Sequence, residues 1–212
     1  MASLGIIIVL NGAPRSGKSS IAEVIQERFD GPWMNLGVDV YSRQITPSRY
    51  RPGIGLRPGG ERPDLEELVP KFFAALYDSI AVHSRLGLNV VVDIAHHDAY
   101  SQPLGILTEM AVRVAALPAW LVGVRCPIEE IMRRRAIGQA GREGDYVRVE
   151  ADDPVPDAVL RWQREVHVPG IYDLEVDTSV DSPTGCVDRI EAVLHDGSGP
   201  TAFTQLGRHR RS

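Results

Sequence analysis

The chain has 212 residues, of which 43% are hydrophobic and 24% charged, and its 28 acidic and 23 basic side chains leave a net charge of −5. That is ordinary for a globular protein with one sizeable core. The acidic balance gives no global footprint for nucleic acid, so a nucleic-acid partner is not expected.

Residues 5–10 form a short β-branched run of strand type, followed at once by "NGAPRSGKSS" at 11–20. This fills every position of Gly-x-x-x-x-Gly-Lys-Ser. Gly12 and Gly17 let the backbone turn so that successive N–H groups face an anion, with Ala13, Pro14, Arg15 and Ser16 between them. Lys18 adds a charge for the β and γ phosphate oxygens. Ser19 offers a hydroxyl to Mg²⁺, and Ser20 follows it into a helix whose N-terminus also favours phosphate. Ile21, Val24, Ile25 and Phe29 recur at helical spacing, so strand, loop and helix stand in the order of a P-loop binding ATP with Mg²⁺. Arg15 and Ser16 are read either as phosphate contacts or as solvent-facing.

Residues 33–38 give a weak second strand, ending in Asp39, with a helix expected from Val40. Residues 46–63, "TPSRYRPGIGLRPGGERP", are rich in Gly, Pro and Arg and read as a long loop, functional or disordered. A helix is expected over 64–86, with Asp64 and Glu67 as a capping box. Pro70 lies too deep for a first turn, so the helix is kinked there or begins nearer to it. "LNVVVDI" at 88–94 is a strong third strand, "AWLVGV" at 119–124 the fourth and "YDLEV" at 172–176 the fifth. Helices are expected at 100–117, 128–137, 157–166 and 184–194. The alternation predicts an α/β fold of the P-loop NTPase class, nucleoside-monophosphate-kinase-like, with a five-stranded parallel sheet and helices on both faces. Residues 1–195 read as one kinase domain with a lid around 127–165, and 196–212 as an unstructured tail. Cys126 and Cys186 lie far apart without metal-ligand spacing and read as reduced thiols. No signal-type n-region precedes the first apolar run, and that run is too short to span a membrane, so a cytoplasmic protein is expected. Oligomeric state is silent, and a homo-oligomer is compatible with the sequence.

In an open parallel sheet, ligands collect beyond the carboxyl ends of the strands. Asp39, Asp93 with His96, His97 and Asp98, Arg125, and Asp177 with Thr178 stand there. Phosphoryl transfer needs Mg²⁺ held, charge neutralised and a nucleophile oriented. Asp39 and Asp93 are the carboxylates best placed for this. Asp93, after an apolar run, reads as the carboxylate that supports Mg²⁺ with Ser19. Asp39 reads as a base toward an acceptor, or as the cap of the helix after it. One of the "HHD" residues can line a substrate pocket, and their adjacency speaks against a metal centre. In residues 129–143, Arg133, Arg134, Arg135 and Arg142 form either a lid that neutralises the transferring phosphoryl or a solvated face with a Glu130–Arg134 pair.

"IIIVLNGAPRSGKSSI", "PWMNLGVDVY", "VVVDIAHHD", "WLVGVRCP" and "VPGIYDLEVDTS" resemble, in order and spacing, the chloramphenicol phosphotransferase family of small P-loop kinases. The resemblance runs from about residue 6 to 180. It implies that Asp39 is the base toward the substrate hydroxyl, that Arg134 is the lid arginine, and that the substrate is a chloramphenicol-like antibiotic or another small alcohol. Residues 46–63 depart from the family in carrying more Arg and Pro, and 140–165 are longer. The alternatives are a zeta-toxin-like or polynucleotide-type kinase acting on a sugar nucleotide or a nucleic-acid end, and a nucleotide-binding regulatory protein.

Overall fold

A computed structural model describes residues 3–137 and 154–208. Five parallel strands form one sheet in the order β2-β3-β1-β4-β5: β1 (Ile7–Asn11), β2 (Trp33–Asn35), β3 (Asn89–Ile94), β4 (Ala119–Arg125) and β5 (Leu174–Asp177). All of β1 and six residues of β4 are buried, the reason these strands read as continuous apolar runs. One face, with Ile7, Val9, Val90, Val92 and Leu121, packs on α4 (Val69–Arg85), α5 (Ile106–Val114) and α9 (Ala202–Arg208). The other, with Ile8, Leu10, Val91, Val122 and Val124, packs on α1 (Lys18–Arg28) and α8 (Pro183–His195). A third cluster joins Ala13 of the P-loop to Ile131 of α6 (Ile128–Ile137) and to Val159 and Trp162 of α7 (Asp157–Glu165). Residues 138–153, the middle of the expected lid, lie outside the described residues. Among the described residues no helix is long and apolar enough to cross a membrane.

Several expected elements are corrected. The helix expected from Val40 starts earlier: α2 (Val38–Val40) follows Gly37 at its N-cap and continues as a π-helical turn, Tyr41–Ile45. Asp39 therefore sits inside the first turn and is not the cap. The 64–86 helix is two helices, α3 (Pro63–Glu66) and α4, with Pro70 in the first turn of α4, where its missing N–H costs nothing. No capping box forms; the Asp64 carboxylate accepts two hydrogen bonds from Arg62 at 2.8 and 2.7 Å. Helix α5 spans less than the expected 100–117, because the Asp98 carboxylate takes the backbone N–H groups of Leu104 and Gly105 at 2.7 and 2.9 Å and holds the chain in a loop. The long 46–63 loop is ordered by two 3₁₀ turns, Ser48–Tyr50 and Gly53–Gly55, and plugs Ile54 and Leu56 into the core.

The tail is also corrected. Residues 202–208 are helical, with Ala202, Phe203 and Leu206 buried. The carboxylate of Asp173 seats this helix, accepting from the N–H groups of Thr201 at 2.7 Å and Ala202 at 2.9 Å while its other oxygen accepts from Leu121 of β4 at 2.9 Å. Both cysteines are buried free thiols.

Candidate active site

The P-loop rises from the carboxyl end of β1. Its backbone enters the left-handed region at Arg15 (φ 73°) and Gly17 (φ 93°), which turns successive amides toward one concave side. Gly17 also has Arg134 against it: a Cβ there would lie 3.2 Å from Arg134 Nη1. Lys18 opens α1, and its Nζ donates to the carbonyl oxygens of Gly12 at 2.8 Å and Ala13 at 2.9 Å, which fold the ammonium over the loop. Ser19 Oγ donates to Asp93 Oδ2 at 2.5 Å, joining helix and third strand through the two oxygens that a magnesium-binding P-loop requires. Ser16 is fully buried and its hydroxyl has no hydrogen-bond partner among the described residues, so it does not face solvent.

Arg134 is the arginine of α6 that reaches this loop. Its Nη2 donates to the Thr178 carbonyl at 2.7 Å and its Nη1 to Thr178 Oγ1 at 3.0 Å, while Nε meets Glu130 at 2.7 Å. Thr178 Oγ1 in turn donates to the Ser16 carbonyl at 2.7 Å, and Arg15 donates to the Arg134 carbonyl at 2.9 Å. The Glu130–Arg134 pair of a solvated face is thus present, yet the same guanidinium is aimed at the P-loop. Glu130, held by Arg133 and Arg134, has its carboxyl pulled down to about 2. Arg133, 63% exposed, meets only Glu130 among the described residues, and Arg142 lies outside them. Arg135, the next arginine of the expected lid, lines the same cavity as Arg134.

Asp39 lines the same cavity as the P-loop. Gly37 lets its segment press on the end of β3: a Cβ there would lie 3.1 Å from the Asp93 carbonyl oxygen. Asp39, with a side chain 42% exposed, faces Arg43 one turn on at 3.8 Å. The cavity, of about 880 Å³, is lined by Pro14, Arg15, Gly17, Lys18, Ser19 and Ser20 of the P-loop and α1, by Asp39, Ser42, Arg43, Ile54 and Arg57, and by Asp93, Arg134 and Trp162.

His96 and His97 do not line this cavity. His96 is buried, its Nε2 2.7 Å from the Tyr77 hydroxyl and its backbone N–H donating to Asn11, and burial pushes it down to about 3. His97 Nε2 donates to the Leu56 carbonyl at 2.8 Å and so pins the 46–63 segment across the end of β3. Asn11, unremarked in the sequence, is a hub: its amide donates to the Val166 carbonyl at 2.8 Å and to the Tyr172 hydroxyl at 2.9 Å. An Asn closing an apolar strand, which must find partners once buried, is the signal that could have found it.

Comparison with known proteins bears on the family and the fold. The family described as chloramphenicol phosphotransferase-like protein matches residues 5–195. A Mycobacterium tuberculosis protein named "Putative O-phosphotransferase Rv2636" is 26% identical over 220 residues, covering 95% of this chain and 88% of that one. Among solved structures, the M. tuberculosis APS kinase CysC in complex with AMPPNP and APS superposes with a TM-score of 0.56 at 16% identity, over 92% of this chain and 99% of that one. Shikimate kinase from Acinetobacter baumannii in complex with shikimate gives 0.59 at 10% identity, over 92% and 95%. These two structures share the fold, that of P-loop kinases, and with a family match across nearly the whole sequence the chain belongs to the chloramphenicol phosphotransferase-like family.

Proposed function

We propose that this P-loop phosphotransferase carries the γ-phosphoryl group of ATP to a hydroxyl of a small molecule. The observation that carries the reading is that one cavity is lined both by the P-loop and by the carboxylate of Asp39. Gly12 to Ser20 hold the phosphates through backbone amides, and Lys18 and Arg134 set two positive charges beside the group in flight. The donor set fits a metal, since Ser19 Oγ and Asp93 Oδ2 already converge. Mg²⁺ bound there would offset charge on the phosphate oxygens. Asp39 accepts the proton of the alcohol from the side away from the P-loop. Thr178, which sequence reasoning placed at a strand end without a task, is a positioning residue that sets Arg134 against the loop.

ADP release coupled to a colour reaction, screened over hydroxylated antibiotics, sugars and nucleosides, tests this. Release that depends on an added alcohol and disappears in Lys18→Ala is expected. Release that no acceptor alters overturns the reading in favour of a nucleotide switch.

A further inference from the structure

The cavity that Asp39 lines is more basic than proton abstraction requires. Among the described residues it is lined by Arg43, Arg51 and Arg57 besides the cations of the P-loop and α6, against two carboxylates, Asp39 and Asp93. Arg43 faces Asp39 at 3.8 Å. The Arg51 guanidinium donates to the backbone carbonyls of Thr46, at 3.0 Å, and Arg43, which fix it without cancelling its charge. Arg57 is half-buried and, among the described residues, has no hydrogen-bond or ion-pair partner. It is not on a loose loop. Leu56 before it is 1% exposed and held by His97, and Ser42 donates to the Pro52 carbonyl at 2.8 Å. Among the described residues the charge surplus in this cavity is positive, against the sign of the chain, whose net charge is −5. A half-buried cation such as Arg57 is costly unless an anion completes it.

We propose that the acceptor alcohol is itself an anion, carrying a carboxylate or a phosphate- or sulfate-type group that Arg57 holds, with Arg43 and Arg51 beside it, while its hydroxyl meets Asp39. Val38, Ile54 and Trp162 give the cavity apolar surface for the body of such a molecule. An uncharged acceptor would leave the surplus unmatched. This inference rests on the phosphotransferase reading and narrows its substrate class.

Calorimetric titration of inorganic sulfate into the AMPPNP·Mg²⁺-loaded protein at constant ionic strength tests it before any acceptor is known. With the phosphate loop filled, saturable binding of one sulfate is expected, weakened about tenfold or more in Arg57→Gln, as for loss of a charge-assisted contact. Arg57→Lys should recover part of it. Arg161→Gln should match the wild type, since Arg161 lies over Gly59 and does not line the cavity. No saturable binding, or equal affinity in Arg57→Gln (an adventitious ion only), overturns the inference. So does an uncharged acceptor turned over with the same KM by wild type and Arg57→Gln, a result that leaves the phosphotransferase reading standing. Failure of AMPPNP·Mg²⁺ to bind overturns that reading and this one with it.

Discussion

Individual side chains divide into those that make the anion site and those that aim it. Lys18 is 7% exposed and donates hydrogen bonds to the Gly12 and Ala13 carbonyls, each with a net worth of about 1 kcal/mol. Lys18→Ala should therefore abolish transfer and cost about 2 kcal/mol of stability; turnover retained in a folded variant would remove the P-loop assignment. In the proposed mechanism Arg134 acts where charge develops, so Arg134→Ala should lower kcat by about 10³-fold and ATP affinity only slightly. Thr178→Val removes the hydroxyl between Ser16 and Arg134. A fall of roughly tenfold in kcat with KM for ATP nearly unchanged is expected for one lost positioning bond. Equal losses in both parameters would make Thr178 a mere packing residue. Lys18, Ser19, Asp93 and Asp39 were legible because the motif and strand ends name them. Asn11 was not, and Thr178 stood at a strand end without its task showing, because their work is to bond groups distant in sequence.

At the level of elements, what the sequence hid follows from tertiary contacts that override local pattern. Helix α9 reads as a polar tail because glycine and proline precede it, and only Ala202, Phe203 and Leu206 signal an apolar edge. Its burial makes it part of the core. Phe203→Ala should cost about 3–5 kcal/mol in urea denaturation, as for other buried aromatics; a change within error would mean that α9 only rests on the surface. The segment after α7 is tied to β1 through Asn11, Tyr172 and His167, whose Nδ1 lies 2.7 Å from the Tyr172 hydroxyl. Burial, with help from Arg125 and Lys18, pushes His167 down to about 4. The unfolded chain holds this proton below about pH 6.5, so between that value and about pH 4 it binds more protons than the folded protein. This contribution to stability is complete at neutral pH and is lost as pH falls through that window. The thermal midpoint should drop from about pH 7 to about pH 5 in the wild type and less steeply in His167→Gln. Parallel profiles would mean that His167 is charged in the folded state.

For the whole molecule, the parallel sheet was legible because both of its faces are covered and its strands are uniformly apolar; the sheet in turn fixes which loops meet. What the sequence could not supply is the far wall of the cavity. Residues 42–57 carry no motif, and the placement of this stretch depends on a π-helical turn, two 3₁₀ turns and a hydrogen bond from His97. That wall carries the central claim, that phosphate leaves the P-loop for an alcohol seated against Asp39. The direct measurement is kcat of Asp39→Asn with the acceptor found by ADP release, beside the Kd for ATP. The substitution keeps size and hydrogen bonding and removes the proton acceptor. A loss of about 10²–10⁴ in kcat with ATP affinity within a few fold is expected, the range of general-base assistance. Near-normal kcat in Asp39→Asn would contradict the account and leave Asp39 a residue of the first turn of α2.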